Sequence, residues 1–92
     1  MKSLEYLAKI RKLPCCVCVN EAEPHHLKAV GMGRNRAFER MEHFTVIPLC
    51  RMHHSEIHSL GVNNFEEMHR VDPWKVSAIL LAERLWEKYG DF

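Results

Sequence analysis

Two clusters of metal-ligating side chains stand out in this chain. The first runs Cys15-Cys16-Val17-Cys18 and is followed by Pro24-His25-His26; the second runs Leu49-Cys50-Arg51-Met52-His53-His54, with His58 one turn later. A Cys-x2-Cys pair answered by Cys-x2-His is a zinc spacing, because thiolates and imidazoles so placed can close on one tetrahedral ion. One ion cannot use all of these donors. The surplus histidines are therefore the mark of an active site.

The elements that carry these residues must sort them. If Cys50 opens a helix, Cys50 and His53 lie at i and i+3 on one face and complete a site with Cys15 and Cys18. His54 sits about 100° further round the axis, and with His58 at i+4 it addresses a second metal from another face. The plain alternative is a pair of surface histidines on an amphipathic helix; the nearby His25-His26 pair weighs against it. Cys16 is left over and reads as a small buried residue.

The remaining pattern predicts the supports. Ser3 can cap a short helix through Leu4, Leu7, Ile10 and Leu13, which Pro14 stops. Cys15 to Pro24 should form a knuckle, His25 to Val30 a short strand, and Gly31 to Gly33 a flexible basic loop with a helical turn around Ala37 to Met41. Phe44-Thr45-Val46-Ile47 is the clearest strand, ended by Pro48. The histidine-bearing helix should close at Gly61, a further helix should be capped by Asn63 or Asn64, and Asp72-Pro73 should start a last helix running to Tyr89. The apolar set of that helix, with Trp74, Leu81, Leu85, Trp86 and Tyr89, reads as core rather than as a partner surface.

At 92 residues and 47% hydrophobic composition, one domain over residues 1–92 is expected, with a core small enough to need a metal staple. The start lacks the apolar core of a signal peptide, no run is long enough to cross a bilayer, and a cytoplasmic location that favours thiolates over disulfides is expected. A net charge of +1 gives no overall field for polyanions. Any nucleic-acid contact must come from a local basic patch, for which Lys28, Arg34, Arg36 and Arg40 are the candidates, with ordinary solubility as the plain alternative.

Taken together, Cys-x2-Cys, a His-His pair on a strand, a second strand and Leu-Cys-x2-His-His-x3-His on a helix resemble the HNH endonucleases with the ββα-metal fold. The resemblance covers Cys15 to Phe65 and is strongest to small phage and prophage HNH-like proteins that include recombinase-dependent nucleases. It implies an α+β domain: a ββα-metal core with a zinc knuckle, flanked by N-terminal and C-terminal helices. It also implies a metal-dependent DNA endonuclease leaving a 5′ phosphate and a 3′ hydroxyl, with a recombinase or phage packaging protein as candidate partner. Carried over, Cys15, Cys18, Cys50 and His53 form the structural zinc site, His53 replacing the usual fourth cysteine. His25, His54 and His58 hold a catalytic divalent metal, and His26 is the general base. The family's central Asn has no counterpart; the position five before Cys50 is Thr45, so Thr45 or His43 must substitute. An all-imidazole site would hold Mg2+ weakly and suits Mn2+, Ni2+ or Zn2+ better. His25 and His26 would face opposite ways in a regular strand, so an irregular backbone is expected there. The reading from another class is a zinc-stapled DNA-binding or interaction module without catalysis.

Overall fold

A computed structural model describes residues 1–90; the single-domain expectation also takes in residues 91 and 92, which lie outside the described residues. The described residues form a compact α+β arrangement. In chain order they are helix α1 (Ser3–Ile10), strand β1 (Glu23–His26), a 3₁₀ turn (Met41–Thr45), strand β2 (Val46–Leu49) and helices α2 (Arg51–Leu60), α3 (Val62–His69) and α4 (Pro73–Tyr89). The two strands pair antiparallel, with Glu23 opposite Leu49 and His26 opposite Val46.

β2 is the spine. All four of its residues are buried, as expected of a short continuous apolar run. Val46 joins Tyr6, Leu7 and Ile10 of α1, with Phe44, Leu80 and Leu81 packed alongside. Ile47 and Leu49 join Cys15, Cys50, Ile57 and Phe65 on the side of the knuckle and α2. One strand thus ties the knuckle and the histidine helix to the terminal helices.

Several boundaries differ from the pattern-based expectation. β2 takes in Pro48, and β1 takes in Pro24, which faces it across the ladder. In a two-stranded sheet each strand is an edge, where a missing amide proton is tolerated. Phe44 and Thr45 fall in the 3₁₀ turn instead, and β1 ends at His26 rather than at Val30. The helical turn expected around Ala37 to Met41 is displaced to Met41–Thr45. Ser3 does not cap α1, whose N-cap is Lys2; its hydroxyl donates to Glu39 (2.5 Å) and accepts from the Arg40 amide (2.8 Å). Neither Asn63 nor Asn64 caps α3. Gly61 does, at φ +81°, a conformation open to glycine, while its own amide donates back to Ile57 (2.9 Å) to close α2.

Asp72 caps α4 as expected, accepting from the Lys75 amide at 3.1 Å. The core expectation for α4 is overturned in part. Val76, Leu80 and Leu81 pack inward, but Trp74, Ile79, Leu85, Tyr89 and above all Trp86, 70% exposed, do not. The first half of the helix lies on β2 and the 3₁₀ turn, and its end runs past them. Among the described residues no helix is long and apolar enough to cross a membrane.

Candidate metal centres and cleft

The knuckle is made by backbone. The Cys15 amide donates to Asn20 (2.8 Å), the Val19 amide donates to Cys15 (2.9 Å), and the Cys16 amide donates to Pro48 (3.0 Å), which clasps the turn to β2. Val19 takes φ +59° to make the bend. Cys15 and Cys18 thereby meet Cys50, the N-cap of α2, and His53 in its first turn.

The four ligand atoms lie within 4.8 Å of one another. Nδ1 of His53 is 3.2 Å from Cys50 Sγ and 3.7 Å from Cys15 Sγ, and Cys18 Sγ is 3.6 Å from Cys50 Sγ. A zinc tetrahedron with bonds of about 2.0–2.3 Å has edges of about 3.5–3.8 Å, so this donor set can hold an ion such as zinc. Burial pushes the Cys15 thiol up, but hydrogen bonds from the backbone of Cys50, Cys18 and Val17 and from the His53 ring outweigh it and bring it down to about 6. The His53 amide favours the Cys50 thiolate, yet burial and the sulfurs of Cys18 and Cys15 push that thiol up on balance. A cation among these sulfurs would favour their thiolate forms. Cys16 stands apart from the ligand set, raised to about 11 by burial and by its thiol neighbours Cys15 and Cys18.

The opposite face of α2 carries the second set. His25, His54 and His58 each offer a nitrogen within 4.8 Å of the others, and their ring centroids lie 4.9, 4.9 and 5.0 Å apart. Together with His26 and Arg36 they line a cleft of about 100 Å³. Burial, then the charges of His54, His58 and His26, depress His25 to about 4; burial, then His43 and Arg36, do the same to His26. Both rings are therefore neutral near pH 7, with lone pairs free for a metal, and burial makes each a weaker base than a free imidazole.

The expected irregular backbone at this pair is not found. The pairing register is unbroken through His26, and His26, as the last strand residue, borders the cleft while its Nε2 lies 2.9 Å from Nδ1 of His43. Thr45, the other candidate to replace the missing Asn, is occupied with backbone, donating to the Glu42 carbonyl (2.8 Å) and accepting from the Lys28 amide (3.0 Å).

Three participants escaped sequence reasoning. Glu23 accepts from Nδ1 of His54 at 2.7 Å, which turns the other imidazole nitrogen free for a ligand in the manner of a carboxylate–histidine–metal arrangement. Its position two before His25 was the available signal. Glu56 and His69 contact each other and sit beside His53; no spacing relates them. Of the basic residues, Arg36 borders the cleft. Arg34 is paired to Glu42 at 3.1 Å and Arg40 donates to the Asn35 carbonyl at 2.7 Å, so both are partly spent within the protein, while Lys28 is exposed.

A family model described as "Protein of unknown function (DUF968)" matches residues 1–82. "Uncharacterized protein YdfU" of Escherichia coli strain K12 is 36% identical over 56 residues, which is 60% of this chain but 16% of that protein. The chain thus matches a small part of its relative's length. No solved structure matches it.

Proposed function

We propose, for a chain that belongs to the DUF968 family of proteins of unknown function, that it is a metal-dependent DNA endonuclease of the HNH type with a ββα-metal core. The observation that carries this is the division of labour on α2: His53 turns into a thiol cluster while His54 and His58 meet His25 in a cleft that His26 also borders. Structural sites are closed by protein ligands, whereas catalytic ones keep a position open; three imidazoles leave that position.

A divalent cation held by His25, His54 and His58 would supply Lewis-acid stabilisation to charge developing on the phosphodiester oxygens. The chain's own residues do the rest. Neutral His26 takes the proton of the attacking water. Arg36 draws a phosphate to the cleft mouth, and among the described residues its charge is not spent on a carboxylate partner in the manner of Arg34. Glu23 holds the His54 ring and adds a negative charge just outside a neutral ligand set, which favours a dication.

The test is cleavage of plasmid and single-stranded DNA with added manganese or magnesium. Cutting by wild type that is lost in His26→Ala supports the reading; cutting that survives His26→Ala ends it. A second reading, a zinc-stapled DNA-binding or interaction module, draws on the missing Asn and on Thr45 being bound up with Glu42 and Lys28. DNA binding without any cutting, unchanged by His26→Ala, selects it.

A further inference from the structure

We propose that His43 is a positioning residue that fixes the tautomer of His26, leaving Nδ1 of His26 as its bare nitrogen. This rests on the reading of His26 as the proton acceptor and adds which atom accepts and what enforces it.

One chain of hydrogen bonds sets the tautomer. His43 is fully buried, and its Nε2 lies 2.9 Å from the Phe38 carbonyl. A carbonyl oxygen only accepts, so Nε2 of His43 carries a proton. A neutral imidazole has a single N–H, which leaves Nδ1 of His43 as an acceptor. That nitrogen lies 2.9 Å from Nε2 of His26, so His26 must donate there. A neutral His26 then has its proton on Nε2 and a lone pair on Nδ1, on a ring that lines the cleft. The reverse direction in a neutral His43 would put its proton on Nδ1 and set the bare Nε2 lone pair against the Phe38 carbonyl oxygen, two acceptors 2.9 Å apart with no hydrogen between them.

The geometry also explains why His43 is held so firmly. It falls in the 3₁₀ turn immediately before β2, its amide donates to the Arg40 carbonyl at 3.1 Å, and the Thr45 hydroxyl closes the same turn on Glu42. His26 and the turn flank adjacent ends of the paired strands, since His26 is opposite Val46. The ring of His26 is thus pinned by a fixed acceptor, which sets both its orientation and its protonated nitrogen.

Long-range proton–nitrogen NMR correlation on the zinc-loaded chain reads the tautomer without reference to activity. The expected result is a pyrrole-type Nε2 and a pyridine-type Nδ1 for His26, with His43 protonated on Nε2. His43→Gln, whose amide can accept from one ring and donate to the carbonyl, should retain that tautomer, whereas His43→Leu should let both forms appear. In cleavage assays His43→Leu should lower kcat roughly tenfold to a hundredfold, the range for lost orienting partners, with KM unchanged and with recovery in His43→Gln. A proton on Nδ1 of His26 in the wild type, or an unchanged tautomer in folded His43→Leu, overturns the inference. Should His43→Leu not fold, the wild-type measurement decides alone. Cleavage that survives His26→Ala would defeat the nuclease reading while leaving this tautomer assignment standing, and a wrong tautomer would do the opposite.

Discussion

The two ligand sets meet at α2 through the consecutive residues His53 and His54, and live in different worlds. On the His53 side the donors are three sulfurs and a nitrogen, with Cys15 1% and His53 6% exposed, embedded in the same apolar cluster as Ile47, Leu49 and Phe65. On the His54 side His58 is exposed, the cleft is open, and Glu23 is the carboxylate bonded to its rim. The contrast teaches that donor type and packing go together: the thiols are set into the apolar core, the imidazoles line an open cleft.

The largest effect should separate the two sets outright. Binding of a structural zinc is worth on the order of 10–16 kcal/mol, comparable with or larger than the whole stability of a small domain. Strong chelation or Cys50→Ser should therefore abolish cooperative unfolding as followed by circular dichroism. The double variant His54→Ala with His58→Ala should keep the melting transition and lose one of two bound metals by mass spectrometry. If both treatments unfold the chain equally, the two sites do not differ as described.

A smaller effect tests the outer carboxylate. Glu23→Gln keeps the shape and removes the charge, and should weaken metal binding at the cleft by about tenfold to a hundredfold in a calorimetric titration. The thiol site should retain its ion. An unchanged cleft affinity would mean that Glu23 serves Arg51, 3.6 Å away, rather than His54.

The smallest concerns acid. His25 and His26 are depressed from 6.5 to about 4, so between those values the unfolded chain binds protons that the folded chain refuses. Their contribution to stability is complete above pH 6.5 and is lost as pH falls through 4. Without added divalent cation, the urea midpoint of wild type should fall more steeply across that window than that of His25→Phe. Equal slopes would show that these imidazoles are not held neutral by the fold.

Much of this was legible beforehand because helical geometry is local. The i, i+3 and i, i+4 offsets from Cys50 and His54 divide the ligands without knowledge of any neighbour, and Asp72-Pro73 marks a helix start by its own chemistry. What depended on tertiary register was not legible. Glu23 reaches His54 only because β1 pairs Glu23 with Leu49, just before α2 begins; His43, one of the two candidates for the missing Asn, reaches His26 only because a 3₁₀ turn replaces the expected start of the second strand. The α4 stripe shows the limit of periodicity, which reports an apolar face but not how far the surface beneath it extends.

Val19 has one more lesson. A β-branched residue at φ +59° is a conformation that glycine or asparagine adopts with ease and valine resists, at about 1–3 kcal/mol. The knuckle is accordingly a sprung clip, whose strain its backbone hydrogen bonds must offset. An ion gripped by the four donors would help to hold the bend, and without one the bend would have its own reason to relax.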